Sequence, residues 1–394
     1  MLRTCTLAVL ALHWCAWVCA ASNPVDMPLY ETRYYKLYTD IDREEAKEVA
    51  IRITKMAEEY HNRTKDFSGA IKRKFAFYLF RDPEDYFQAG APRDSHGLFN
   101  GRELLAIAGD HVDNRTWHVV QHEGFHQFAA GVIGGDIPVW ANEGLAEYFG
   151  EGVFTGDGYV TGVIPNWRLK RVQKTLAQGG FRSLDAIMSL TLDQWNEEMK
   201  ISNYDQAWSM VQFLAHGDDG KYQKAFASYM TLIGRGKGRA EAWFTAFGDT
   251  RGFEERWKKY WRELPQNPTD DLYARATTAT LTSFLARAFA QKQTFDSFDE
   301  FLAAAKSGAL KCAADDWLPS AMLTDAVADV TERMRAGTVF EIVPPDHRSK
   351  TPQVRCVLSD GTRYAGRFEL RGGRVHMVHV DPDRPAGPTT RPGR

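Results

Sequence analysis

The stretch His122-Glu123-Gly124-Phe125-His126 fits the pattern H-E-x-x-H and lies in a segment with helical periodicity. Two histidines four residues apart share one face of a helix, so both imidazoles can reach one metal ion. Imidazole nitrogen is a preferred zinc ligand, and a carboxylate beside the first histidine can take a proton from water. The stretch therefore predicts a zinc-binding helix with Glu123 as general base. The alternative is a polar helix face without a metal.

A third ligand is expected on the next helix. Glu143 follows His126 by seventeen residues, in a stretch whose periodicity is also helical. Packing of the two helices would bring Glu143 to the metal and complete a set of two histidines and one glutamate, with one position left for water. Glu147, one turn further on, is the competing ligand. If Glu143 binds the metal, Glu147 is placed to accept a hydrogen bond from an imidazole N–H and fix its tautomer.

Together the two stretches resemble the signature of the gluzincins, the thermolysin and aminopeptidase N branch of the zinc metallopeptidases. Their pattern is H-E-x-x-H followed by N-E-x-x-A, and here Asn142-Glu143-Gly144-Leu145-Ala146 supplies the second part. The resemblance implies one Zn²⁺ per chain, bound by His122, His126 and Glu143. It also implies that Glu123 is the general base and that Glu147 contacts a ligand histidine.

Over roughly Tyr34 to Trp261 the chain also resembles exported peptidase-MA-like proteins of unknown function. Tyr204-Asp205-Gln206-Ala207-Trp208 opens a later helix and resembles the tyrosine segment that stabilises the transition state in aminopeptidase-like members. This resemblance implies a catalytic role for Tyr204, and the alternative is a tyrosine packed in a helical core. The exopeptidase motif G-x-M-E-N is absent upstream of His122, so removal of N-terminal residues is not assumed.

Upstream of the zinc helix, the pattern predicts strands at Tyr34–Tyr38, Lys74–Phe80, Leu98–Phe99 and Glu103–Ala108, and a helix at Arg43–His61. Such an order favours a small mixed sheet with a helix on one face. The strand Glu103–Ala108 is either the edge strand that pairs with an extended substrate or an interior strand.

From residue 114 to residue 264 the pattern is mainly helical, and Pro265 and Pro268 end it. Helical stretches follow over Phe284–Ala305 and Ala321–Met334, and then short strands with turn residues between them. The predicted class is α+β: a small mixed sheet with helices leads into a mainly helical zincin core, followed by a helical segment and a small C-terminal β module. The predicted divisions are a signal peptide (1–21), an N-terminal α/β part (22–112) and a helical zinc-binding part (113–265) of the catalytic domain, a helical segment (269–336), a β module (337–381) and a disordered tail (382–394).

Composition and the N-terminus indicate an exported globular protein. The chain has 394 residues, 44% of them hydrophobic, and a net charge of -2, which excludes a mostly disordered chain and argues against nucleic acid as partner. Arg3, the apolar run Leu7–Val18 and the small residues after it are typical of a signal peptide. We therefore expect a periplasmic, extracellular or cell-surface protein with no membrane span once the signal is removed.

Two cysteines, Cys312 and Cys356, remain after signal removal. An oxidising compartment would allow a disulfide between them, and two buried thiols are the alternative.

The sequence thus predicts an exported zinc metallopeptidase that hydrolyses peptide bonds in a peptide or protein substrate. The alternative function is a non-proteolytic zinc-containing binding or cell-surface module that retains the zincin fold. The sequence does not predict oligomeric state or cleavage specificity.

Overall fold

A computed structural model describes residues 27–109, 111–346 and 349–383. The predicted signal peptide lies outside these residues, as do residues 384–394 of the predicted tail. The chain divides into two compact units. The first contains the residues up to Gly152 together with Thr161–Pro268, and the second contains Val153–Val160 together with the residues from Thr269 onward. The α+β class is confirmed by both units.

A five-stranded mixed sheet opens the first unit. Its elements are β1 (Leu29–Glu31), β2 (Tyr35–Thr39), α1 (Arg43–Thr64), β3 (Phe75–Phe80), α2 (Pro83–Gln88), β4 (Gly97–Phe99) and β5 (Glu103–Ile107). The strand order is β1-β2-β3-β5-β4, with β2, β3 and β5 parallel and both outer strands antiparallel to their neighbours. The continuous apolar run of β3 suits an interior strand. Of the two readings for Glu103–Ala108, the interior strand is the one found, because β4 forms the edge.

Helices make up the rest of the first unit, and a short hairpin interrupts them in sequence. These elements are α3 (Asn114–Phe128), which continues into a π-helical turn (Ala129–Ile133), α4 (Val139–Gly150), β6 (Val153–Phe154), β7 (Tyr159–Val160), α5 (Asn166–Ala177), α6 (Leu184–Met188), α7 (Leu192–Glu198), α8 (Ile201–Gly220), α9 (Gln223–Gly234), α10 (Arg239–Phe247) and α11 (Thr250–Glu263). The backbone of α8 leaves helical geometry at Gly217–Asp219. Among the residues that the structure describes, no helix is both long and apolar enough to cross a bilayer.

The second unit places helices on a four-stranded antiparallel sheet. Its elements after the hairpin β6-β7 are α12 (Asp270–Ala290), α13 (Phe298–Lys306), α14 (Ser320–Arg335), β8 (Val339–Val343), β9 (Gln353–Val357), β10 (Arg363–Arg371) and β11 (Arg374–Pro382). The strand order is β11-β10-β9-β8, and α12 packs on β9, β10 and β11. The predicted helical segment and β module are therefore parts of one compact unit.

Three details of this unit differ from the sequence prediction. The continuous helical stretch Phe284–Ala305 is wrong, because α12 ends at Ala290 and Ser297 caps a new helix by accepting from the backbone N–H of Glu300. The hairpin Val153–Val160 belongs to this unit, where Ser283 donates to its backbone. Finally, Pro382 lies in β11, so the predicted tail begins too early.

The two cysteines are not joined. Cys312 is an exposed free thiol, and Cys356 is a free thiol buried on β9. Burial raises the pKa of Cys356 to about 11. The disulfide that the sequence allows is therefore not formed.

Gly366 controls how closely β10 approaches α12. A Cβ added there would lie 2.0 Å from the hydroxyl oxygen of Thr282. We expect Gly366→Ala to lower the free energy of unfolding of this unit by about 1–3 kcal/mol, since overpacking forces a shift of the helix or the strand. Urea denaturation measures the effect. Gly158→Ala is the control, because no heavy atom lies within 4 Å of its added Cβ. Equal stability of the two variants would contradict the close packing.

Candidate metal centre

Two packed helices, α3 and α4, carry the predicted ligands. The carboxylate of Asp113 begins α3 by accepting hydrogen bonds from the backbone N–H groups of Arg115 and Thr116, both at 2.9 Å. Further along α3, the amide nitrogen of Gln121 donates to the carbonyl oxygens of Phe149 and Gly150 at 3.0 and 2.9 Å. Gln121 thus attaches the end of α4 to the helix that carries both histidines.

The structure brings His122, His126 and Glu143 together at one point. The Nε2 atoms of the two histidines are 3.1 Å apart, and Oε2 of Glu143 lies 3.5 Å from the first and 3.6 Å from the second. Ligands at 2.0–2.1 Å from a tetrahedral zinc ion are separated by about 3.3–3.4 Å. All three residues are buried. Their ligand atoms therefore fit one tetrahedral ion with a fourth position left over.

The charges at this point also fit a cation. Burial alone would lower the pKa of His122, but the carboxylates of Glu143 and Glu147 outweigh it and hold that pKa well above its usual value. Burial alone would raise the pKa of Glu143, but His126 and His122 lower it to about 2. Glu143 is thus ionised at neutral pH, which is the form in which a carboxylate binds a metal ion.

Glu147 lies on the other side of the His122 ring. Its Oε1 is 3.1 Å from Nδ1 of His122, and its Oε2 is 2.5 Å from the guanidinium of Arg168. It therefore faces the nitrogen that points away from Glu143, which is the arrangement expected for a partner that fixes the tautomer. His118, His122 and Glu147 form a second group that could hold a metal ion. His118 is 4.0 Å from Glu147, however, and the ion pair with Arg168 already occupies that carboxylate.

Glu123 is fully buried and linked to the edge strand of the sheet. Its Oε2 accepts a hydrogen bond from the backbone N–H of Phe99 on β4 at 2.9 Å. Its Oε1 has no hydrogen-bond partner among the residues in the described ranges. The close approach of β4 to α3 requires Gly97, where an added Cβ would lie 2.2 Å from Val119 and 3.3 Å from Glu123. One oxygen of Glu123 is thus fixed, and the other has no partner.

Tyr204 lies on α8, which packs closely against α4. A Cβ added at Gly144 would lie 2.5 Å from the carbonyl oxygen of Ala207, so the glycine beside the ligand Glu143 permits this approach. Within the described part of the chain, the buried hydroxyl of Tyr204 makes no hydrogen bond of normal geometry. Burial raises the pKa of Tyr204, and the nearby charge of Glu143 raises it further. The tyrosine is therefore near the ligand cluster and protonated at neutral pH.

Arg168 is the residue that the sequence analysis missed. It lies in α5 and is 2% exposed, and besides Glu147 it pairs with Glu151 and Asp205. The one feature of the sequence that points to Arg168 is its helical spacing, since residues 168, 172 and 176 all lie on the buried face of α5. A charge on an apolar helix face indicates a buried partner, but periodicity does not say which one.

Residues 117–235 match a family described as "Protein of unknown function (DUF1570)". No curated protein and no solved structure matches the chain. The matched stretch contains both histidines, Glu143, Glu147 and Tyr204. The family description assigns no activity, so the function rests on the site itself.

We expect the purified protein to bind one equivalent of zinc, because three buried ligand atoms converge at tetrahedral spacing. His122→Ala removes one ligand and should abolish stoichiometric binding, as measured by elemental analysis after dialysis. His111→Ala is the control, since its side chain is 87% exposed and pairs with Glu45, which is not part of the ligand cluster. A wild-type protein that takes up no zinc when supplied with it would contradict the site.

Proposed function

We propose that this protein is an exported zinc metallopeptidase of the gluzincin type, which hydrolyses peptide bonds in a peptide or protein substrate. The observation that carries the proposal is the convergence of His122, His126 and Glu143, whose ligand atoms are 3.1–3.6 Å apart. The proposal of export rests on the signal-like N-terminus.

Zinc bound by this set would polarise the scissile carbonyl group and make water more acidic. Glu123 is the proposed proton carrier. Because its Oε2 is held by the N–H of Phe99, its Oε1 remains to accept a proton from the attacking water. The water oxygen bonds to the carbonyl carbon, the C–N bond breaks, and Glu123 returns the proton to the leaving amine nitrogen.

Tyr204 is the proposed donor to the developing oxyanion. Its hydroxyl is protonated at neutral pH, because burial raises its pKa. The indole N–H of Trp195 lies beside this oxygen, but an indole only donates, so the hydroxyl proton has no acceptor within the described residues and is available to a substrate oxygen. A donor that is already positioned gains strength when charge develops on its acceptor.

The edge strand β4 is the proposed place for the substrate backbone. It is the last strand of the sheet, and its residue Phe99 contacts the general base directly. An extended peptide that pairs with β4 would run beside Glu123. The sequence suggested Glu103–Ala108 as a strand that could pair with the substrate, and we assign this pairing to the neighbouring strand β4 instead.

The alternative is a non-proteolytic zinc module, for which a closed shell of four protein ligands would argue. Such a shell needs Glu143 and Glu147 on the same ion. Glu147 instead faces Nδ1 of His122 and pairs with Arg168, whereas Glu143 faces Nε2. This placement supports three protein ligands and an open position, which is the arrangement of catalytic zinc sites.

We expect Glu123→Gln to retain one zinc per chain and to lower the turnover number by a factor of about 10²–10⁴, because the amide cannot accept the proton. Hydrolysis of a mixed peptide library, followed by mass spectrometry, measures turnover.

Glu254→Gln is the matched control for this variant. Its carboxylate also accepts a backbone N–H, that of Leu184, at 3.0 Å, and it is not part of the ligand cluster. It should retain full activity. Wild-type turnover in the zinc-loaded Glu123→Gln variant would refute the mechanism, and a zinc-loaded wild type that cleaves no peptide would favour the non-proteolytic module.

A further inference from the structure

Arg168 is the centre of a buried ion-pair network beside the proposed metal ligands. Its three nitrogens contact three carboxylates: Glu147 at 2.5 Å, Glu151 at 2.7 Å and Asp205 at 3.3 Å. Its guanidinium carbon also lies 4.3 Å from the centre of the Trp208 ring. The two terminal nitrogens thus hold Glu147 and Glu151, and Nε lies beside Asp205 without a hydrogen bond of normal geometry. A lysine ammonium could not reproduce this fork of contacts.

We propose that Arg168 is a positioning residue that acts through Glu147 on the zinc ligand His122 and through Asp205 on the helix that carries Tyr204. The inference rests on the proposed function, since it assigns a role within the same site.

The first link runs from Arg168 to the metal ligand. Glu147 uses Oε2 for Arg168 and Oε1 for Nδ1 of His122, at 2.5 and 3.1 Å. A carboxylate held at both oxygens is restrained from rotating, so the imidazole keeps the orientation in which Nε2 faces Glu143. Without Arg168, Glu147 could turn towards His118, which lies 4.0 Å away. Partners of ligand histidines contribute to metal affinity in this way.

The second link runs from Arg168 to α8. Asp205 is 1% exposed, directly follows Tyr204, and also accepts two hydrogen bonds from Arg171 at 2.5 and 2.6 Å. Arg168 and Arg171 therefore fix the first turns of α8 from α5. The guanidinium of Arg168 thus holds the partner of the proposed ligand His122 and lies against the carboxylate that follows the proposed oxyanion donor.

Stability alone is a weak explanation for this network. Removing charges from water costs several kcal/mol per ion, and buried ion pairs are often replaceable by apolar residues without loss. The network consists of two arginines and three carboxylates next to the ligand cluster. An apolar core could fill the same space, but it could not orient Glu147 and Asp205. If Arg168 positions the ligand set, its replacement should weaken zinc binding even in a folded variant, whereas a purely structural role would leave the zinc affinity of that variant unchanged.

The test compares Arg168→Lys with Arg287→Lys by zinc affinity. Arg287 is a matched control, because it is 6% exposed and pairs with two carboxylates, Asp157 at 2.8 Å and Asp316 at 2.9 Å, in the second unit. In one measurement the protein competes with a chromophoric chelator for Zn²⁺, which gives the zinc affinity. In the other, the absorption spectrum of the Co²⁺-substituted protein reports ligand geometry. We expect Arg168→Lys to weaken zinc binding by a factor of about 10–100 and to alter the cobalt spectrum. Arg287→Lys should leave both unchanged.

A double-mutant cycle shows whether Arg168 acts through Glu147. The effects of Arg168→Lys and Glu147→Gln on zinc affinity should be non-additive, because each breaks the same link. Additive effects, or a folded Arg168→Lys that binds zinc as the wild type does, would overturn the inference while leaving the proposed function intact.

Circular dichroism decides whether Arg168→Lys folds. If it does not, Glu151→Gln replaces it, since this change removes one of the three carboxylates and leaves Arg168 charged. A smaller loss of zinc affinity in the same direction is then expected, and unchanged affinity would overturn the inference. A wild-type protein without zinc affinity would overturn the proposed function, and this inference with it.

Discussion

The close packing of α3, α4 and α8 is the constraint on which the site depends. Three ligand atoms from two helices can converge to 3.1–3.6 Å only if the helix backbones are held at a fixed distance. Gln121 attaches α4 to α3, and Gly144 lets α8 approach α4 so closely that a Cβ would lie 2.5 Å from a carbonyl oxygen. The glycine next to Glu143 is thus a packing requirement, and the position of Tyr204 follows from it.

The same packing buries several charged groups, and most of them lie beside a group of opposite charge. His122 has a carboxylate on each side of its ring: Glu143 faces Nε2 and Glu147 faces Nδ1. Burial opposes ionisation of Glu147, yet Arg168 and His122 hold its pKa well below the usual range. On the Nε2 side no arginine or lysine plays the role of Arg168 within the described residues. A cation bound there would supply the missing positive charge.

The sequence predicted the parts of this site that repeat at helical spacing. His122 and His126 share a helix face, and Glu143 and Glu147 are one turn apart on the next helix, so periodicity and motif placed all four. Periodicity could not predict Arg168, because its contacts to Glu147 and Asp205 depend on how α5 packs on two other helices. For the same reason it did not decide between edge and interior for Glu103–Ala108, or assign the hairpin Val153–Val160 to the second unit. The break between α12 and α13 was missed because residues 291–297 contain no proline, and Ser297 is a modest signal for a new helix.

The two nitrogens of the His122 ring favour Glu143 over Glu147 as the third ligand of the proposed ion. An imidazole that presents Nε2 to a metal must have Nδ1 protonated, and that N–H needs an acceptor in a buried site. Among the described residues, Glu147 is the acceptor on the Nδ1 side, and Arg168 keeps it there as an anion. If Glu147 moved to the metal, the Nδ1–H of His122 would lose its acceptor, and Arg168 would lose one of its three carboxylates in the protein interior. The cost of one buried unpaired donor and one lost charge contact therefore favours Glu143 as the ligand and leaves the fourth position of the proposed ion to water or substrate.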